Sequence, residues 1–260
     1  MSEARQERLF VGDGEGAREI AILRRDGTAP GLFWLGGFNS DMTGTKAVAL
    51  DAFAERRGLA MTRFDYSGHG ASGGRFEEGT ISRWLEESLA VFDRTEGRQV
   101  VVGSSMGGWL ALLLTDALRS VGESRVAGLV LLAPAVDMTK ALMWDEMKPA
   151  VRKELTQAGS VRLKSDYNAD GYLITRALIE DGDKHVFGTR LIETGCPVHI
   201  LQGLADTDVP WRHATSLVSR LASDDVVLTL IKDGDHRLSR PEDIERLIAA
   251  VEGVMAEGNL

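Results

Sequence analysis

Three consecutive valines, Val100 to Val102, run into Gly103-Ser104-Ser105-Met106-Gly107 and then into a Leu- and Ala-rich stretch that continues to Arg119. This stretch limits the possible folds more than any other. The β-branched run reads as a short buried strand, and the stretch after it is too long for a strand and rich in helix formers. Ser105 therefore sits at a sharp strand-to-helix turn. Such a turn brings two backbones together and strains the residue at its apex, so glycines are needed on either side. It also points helix N-terminal N–H groups at any negative charge that develops beside the serine. Ser105 becomes the candidate nucleophile, and the Met106 N–H a candidate oxyanion donor.

The five-residue pattern is weak without its context, and the chain contains a second copy, Gly70-Ala71-Ser72-Gly73-Gly74. A polar stretch from Gly74 to Gly79 follows that copy and no helix opens after it, so Ser72 reads as part of a flexible loop.

The surrounding chain alternates strand and helix signals. Arg8 to Val11 and Glu19 to Arg24 read as an antiparallel hairpin at a sheet edge. Strands are expected at Leu32–Leu35, Met61–Asp65, Ala127–Ala133, Val198–Leu201 and Val226–Ile231. Helices are expected at Thr45–Arg57, Ile81–Thr95, Arg212–Leu221 and Pro241–Met255. That order implies a mostly parallel sheet with helices on both faces. At 260 residues one α/β core accounts for the chain. No apolar run reaches the ~18 residues of a membrane span. The net charge of −9 does not suggest a nucleic-acid surface. The single cysteine, Cys196, excludes an internal disulfide and reads as a buried structural thiol. The first eight residues lack an apolar core and are too acidic for a transit peptide, so a cytoplasmic protein is expected.

Residues 136–194 interrupt the alternation. They are expected to form a cap between core segments 1–135 and 195–260, with helical pieces at Met143–Ala158 and Tyr172–Asp181 and no strong strand. The cap carries Met138, Leu142, Met143, Trp144, Met147, Tyr167, Tyr172 and Phe187, which either pack it onto the core or line an acyl or aromatic pocket.

A serine hydroxyl needs a general base, and the base needs an acid to hold its tautomer. Of five histidines, His199 falls in a strand, His213 at a helix start, His185 in the cap, and His69 in a glycine-rich loop before the elbow. His236 lies in a polar turn between the last strand and the last helix, where a loop can carry an imidazole over the sheet edge. It is the expected base. Asp206 and Asp208 both follow the penultimate strand; Asp206 is preferred, with Asp208 nearer the helix start as a cap. Asp235, beside His236, points elsewhere if the turn presents the imidazole. The order Ser105, Asp206, His236 is the one expected for a triad on this kind of sheet. The loop after the third strand, Leu35-Gly36-Gly37-Phe38, supplies a second oxyanion donor, the Phe38 N–H. Such an acyl-enzyme needs neither metal nor organic cofactor, and nothing in the chain sets an oligomeric state.

Together these residues resemble the α/β-hydrolase superfamily over essentially the whole chain. Five stretches carry a narrower resemblance: Asn39 to Ala47, Arg63 to Ser72, Val102 to Trp109, Asp208 to Trp211, and Asp235 to Arg237. They are similar to the family of the mitochondrial palmitoyl-protein thioesterase that also cleaves mycophenolic acid acyl-glucuronide. The resemblance implies an α/β-hydrolase fold and hydrolysis of acyl thioesters or activated esters of small-molecule or acylated substrates, with Ser105, Asp206 and His236 at the triad positions. No mitochondrial presequence is read in the first residues, so the organellar address is not expected to carry over. The same catalytic set would also suit a lysophospholipase, a monoacylglycerol-type lipase or a cofactor-free haloperoxidase. A non-enzymatic binding protein on this fold usually lacks a triad member.

Overall fold

Strands that read as unbroken apolar runs have to be covered on both faces, and the sheet in the computed structural model is covered in this way. The structure describes residues 4–123, 125–163, 171–222 and 225–257. The sheet strands are β1 (Arg5–Val11), β2 (Arg18–Arg25), β3 (Thr28–Leu35), β4 (Leu59–Phe64), β5 (Gln99–Ser104), β6 (Val126–Leu132), β9 (Val198–Gly203) and β10 (Val226–Ile231). They lie in the order β1-β2-β4-β3-β5-β6-β9-β10. β1 and β2 form the antiparallel edge expected from the sequence; β2 pairs antiparallel with β4, and every pair from β4 to β10 is parallel.

The helices between them are α1 (Thr45–Arg57), α2 (Ile81–Asp93), α3 (Met106–Ser120), α6 (Trp211–Val218) and α7 (Pro241–Glu257). Alternation along each strand sorts the core into two layers. Leu32, Trp34, Val100, Val102, Val130 and Leu201 meet α1 and α7, whereas Phe33, Leu35, Val101, Leu129 and Ile200 meet α2, α3 and α6.

Chain direction across the sheet reverses at β3. After β3 the chain steps outward to β4, then crosses back over β3 to β5 and continues through β6, β9 and β10. The loops leaving β3 and β5 therefore diverge to opposite faces, since α1 packs in one layer and α3 in the other. A crevice opens at the C-terminal ends of strands at such a reversal. Both the Phe38 loop and Ser105 lie there.

The segment between β6 and β9 departs from expectation. A six-residue π-helical turn, Thr139–Trp144, comes first, then α4 (Pro149–Ala158), a hairpin of β7 (Ser160–Leu163) and β8 (Tyr172–Thr175), and α5 (Arg176–Gly182). The single helix expected over Met143–Ala158 is broken because Pro149 occupies the first turn of α4, where its missing N–H costs nothing. The expected helix from Tyr172 starts four residues late. Tyr172 to Thr175 is a short aromatic and β-branched run, and its pairing with Ser160–Leu163 comes from a distant stretch of chain that local periodicity does not register. Met147, Leu155, Val161, Ile174 and Ile179 form a small core of their own, while Met138, Leu178 and Phe187 join the main one. Tyr167 lies outside the described residues. No helix among the described residues is long and apolar enough to cross a membrane.

Candidate active site

Ser105 adopts φ 55° and ψ −118°, a conformation an L-residue rarely takes. The turn that imposes it explains its glycines. A Cβ on Gly103 would stand 2.3 Å from the Gly107 carbonyl oxygen, and one on Gly107 would stand 2.1 Å from that of Leu35. The elbow is then tied to β6, because the Ser105 N–H donates to Leu132 at 2.8 Å. Gly107→Ala is expected to destabilise the fold by ~3 kcal/mol or more. Thermal unfolding should show this as a fall in Tm of roughly 6–12 °C.

The Asp206 and His236 turns leave the adjacent strands β9 and β10, and a contact between two glycines brings them together. A Cβ on Gly203 would stand 2.2 Å from the Gly234 carbonyl oxygen. That oxygen accepts from the Ala205 N–H at 3.0 Å, and Ile231 accepts from Leu204 at 2.8 Å. On the other side, the Lys46 ammonium at the start of α1 hydrogen-bonds the Arg237 carbonyl. Burial and repulsion from Arg237 push its pKa down to about 8.

With those turns joined, His236 Nδ1 lies 2.9 Å from Asp206 Oδ2, and His236 Nε2 lies 3.1 Å from Ser105 Oγ. A carboxylate only accepts, so Nδ1 carries the proton and Nε2 presents a lone pair to the serine hydroxyl. Asp206 is locked in place. Its Oδ1 takes the N–H groups of Asp208 (2.9 Å) and Val209 (2.8 Å), and its Oδ2 also takes the Gln202 amide at 3.1 Å. Gln202, four residues before Asp206, carries no motif of its own; a polar residue buried near the C-terminal end of a strand is the available signal. α6 follows Pro210, whose own side chain offers no cap, and the Asp208 N–H folds into the Asp206 turn. Asp235 instead accepts from the Leu238 N–H at 3.0 Å.

Gly37 brings the Phe38 loop against the elbow: a Cβ there would be 3.4 Å from that of Ser105. Neither the Phe38 nor the Met106 N–H is taken by another protein acceptor among the described residues. The Phe38 ring packs on Phe76 (5.1 Å between centroids), Tyr172 (5.8 Å) and Trp84 (6.0 Å). A cleft of about 400 Å³ runs along this edge, lined by Phe38, Asn39, Lys46, Ser105, Tyr172, His236 and Arg237 among others.

The other histidines have structural partners. His199 Nε2 is 2.8 Å from Thr229 Oγ1, His213 Nε2 is 2.8 Å from the Val136 carbonyl, and His185 Nε2 is 2.7 Å from Ser82 Oγ. Cys196 is buried, and burial pushes its thiol up to about 11. Ser72 lies in a loop with no helix opening directly after it, as expected, and the loop is tied down there: its hydroxyl donates to the Asp65 carbonyl at 2.5 Å and accepts from the Ala21 N–H at 2.8 Å. No group of three His, Cys, Asp or Glu side chains among the described residues is placed to hold a metal ion.

Known proteins resemble this chain in sequence and fold. The family model described as serine aminopeptidase, S33, matches residues 32–181. A protein named palmitoyl-protein thioesterase ABHD10, mitochondrial, from Mus musculus is 35% identical over 238 residues, covering 91% of this chain and 78% of that one. The crystal structure of a putative hydrolase from Agrobacterium vitis S4 superposes with a TM-score of 0.95 at 49% identity, covering 98% of this chain and all of the other. Mouse α/β hydrolase domain-containing protein 10 superposes at 0.86 with 34% identity, over 96% and 98% of the two chains. The strand order, the elbow and these matches agree: the chain is a hydrolase of the α/β-hydrolase fold and belongs to the family of the ABHD10 palmitoyl-protein thioesterases.

Proposed function

We propose that the protein hydrolyses acyl esters or thioesters through an acyl-enzyme on Ser105, with His236 as general base and Asp206 as its orienting acid. The observation that carries this reading is the unbroken line from Asp206 Oδ2 through both ring nitrogens of His236 to Ser105 Oγ. Ser105 Oγ attacks the acyl carbonyl carbon while its proton passes to His236 Nε2, and the C=O electron pair moves onto oxygen. The Phe38 and Met106 N–H groups stabilise that oxyanion. When the carbonyl re-forms, the C–S or C–O bond breaks and the departing thiolate or alkoxide takes the proton from His236. Water then repeats the sequence with the acyl-serine as substrate. It gives a proton to His236, adds to the carbonyl and releases the acid, and the proton returns to Ser105 Oγ.

Thioesters are included because of the relatives' name, and the excursion between β6 and β9 is read as a cap whose Tyr172 bounds the acyl side of the cleft. A fluorophosphonate probe is expected to label the wild-type protein and not Ser105→Ala. A series of p-nitrophenyl esters and acyl-CoA thioesters of graded chain length then measures the pocket. Labelling that persists in Ser105→Ala removes Ser105 from the mechanism.

A further inference from the structure

The loop that follows β4, Asp65 to Ser72, has no part in the bond-making steps above, yet its polar groups converge on the segment carrying Phe38. Asp65 accepts from the Met42 N–H at 2.6 Å with one carboxylate oxygen and from the Ala71 N–H at 2.7 Å with the other. His69 Nε2 accepts from the Asn39 N–H at 3.1 Å, and His69 Nδ1 lies 3.2 Å from the Ser67 carbonyl. These two partners fix the tautomer. A carbonyl can only accept and a backbone N–H can only donate, so the proton is on Nδ1 and the lone pair on Nε2.

The imidazole is held on every side. It is 4% exposed and packs edge-on against Trp84 at 5.3 Å and Tyr66 at 5.6 Å, with Phe76 at 5.1 Å. Ser67 is anchored in turn, its N–H donating to the buried Glu87 at 2.9 Å and its carbonyl also accepting from Trp84 Nε1 at 3.2 Å. Burial pushes the His69 pKa down to about 4, so the ring is neutral and its lone pair available at ordinary pH.

We infer that His69 is a positioning residue for the reaction: its Nε2 lone pair fixes the peptide plane that follows Phe38 and, with the Phe38 ring clamped, restrains the backbone rotations at Phe38 that would turn its N–H, which lies in the plane before it. This rests on the reading of Phe38 as an oxyanion donor. Two glycines, Gly36 and Gly37, precede Phe38, and Asn39 takes the left-handed φ of 58°. Such a loop has little local preference for one conformation. Rings clamp the Phe38 side chain from one direction and the His69 bond holds the plane after it from another. A donor misplaced by ~1 Å costs about 10²-fold in rate.

Two substitutions of similar size separate the bond from the packing. In His69→Asn the side-chain amide reaches the Nδ1 position and keeps the donor to Ser67, but offers nothing to Asn39. In His69→Gln the amide oxygen reaches the Nε2 position. His69→Asn is expected to lower kcat on a p-nitrophenyl ester at least ~10-fold with little change in KM, the pattern of an interaction lost mainly in the transition state. Affinity for an alkyl boronic acid, whose hydroxyl occupies the oxyanion position, should fall in parallel. Exchange of the Asn39 amide should become faster, and His69→Gln should recover most of all three while the two variants share a similar Tm, both having given up the same ring packing. Wild-type kcat in His69→Asn overturns the role, as does equal impairment of the two variants. Failure of a fluorophosphonate to label wild-type Ser105 overturns instead the reaction on which the role rests, and the Asn39 exchange rates still report whether the bond exists.

Discussion

Ser105→Ala is expected to lower kcat for a short p-nitrophenyl ester by about 10⁶-fold, the size of loss seen when the nucleophile of a hydrogen-bonded triad is removed. The loss should fall on kcat, because the cleft walls and the two N–H groups are untouched and the ester still binds. What disappears is the oxygen 3.1 Å from His236 Nε2. Thermal unfolding controls for structure. Alanine has to accept the same φ of 55° as the serine, and the Ser105 N–H still donates to Leu132, so Tm should stay close to that of the wild type. A variant that unfolds at the same temperature and hydrolyses at an undiminished rate would show that the reaction uses another nucleophile.

Asp206→Asn is expected to cost about 10⁴-fold in kcat, through the tautomer of His236 rather than through loss of the side chain. Asp206 accepts four hydrogen bonds, two from backbone N–H groups of its own turn, one from Gln202 and one from His236. An asparagine keeps the two backbone bonds only by turning its oxygen towards them, which places its NH2 against His236 Nδ1. That nitrogen must then accept, the proton moves to Nε2, and Ser105 no longer has a base. Asp208→Asn is expected to retain near-wild-type activity, since Asp208 holds Asp206 through its backbone N–H, which the substitution keeps. Steady-state kinetics of the two variants side by side decide which carboxylate orients the imidazole; a larger loss in Asp208→Asn would reverse the assignment.

The sheet was legible because its signals are local and repeated. The strand expected at Val226–Ile231 matches β10 to the residue, and the other core strands match to within a few, since each is an apolar run bounded by turn residues. The elbow was legible because Gly103 and Gly107 serve a backbone clash that no other residue type relieves. Non-local pairing hid the rest. The hairpin of β7 and β8 exists because Ser160–Leu163 meets Tyr172–Thr175, and neither run is long enough to declare itself. His69 and Ser72 were passed over for a similar reason: a glycine-rich loop reads as slack until the acceptors and donors that fill it, Asn39 and Ala21 among them, are known from elsewhere in the chain. The contact between Gly203 and Gly234 depends on β9 and β10 lying side by side, which periodicity does not specify.

The excursion after β6 is inserted between strands that carry the reacting groups without lying between those groups in space. Ser105 hangs from β5, and the aspartate and imidazole from β9 and β10, each tied back to the sheet or to a neighbouring turn. Tyr172, by contrast, reaches the cleft from a hairpin with a small core of its own. Exchanging that hairpin is therefore expected to alter what the cleft admits while leaving the strands that carry Ser105, Asp206 and His236 where they are.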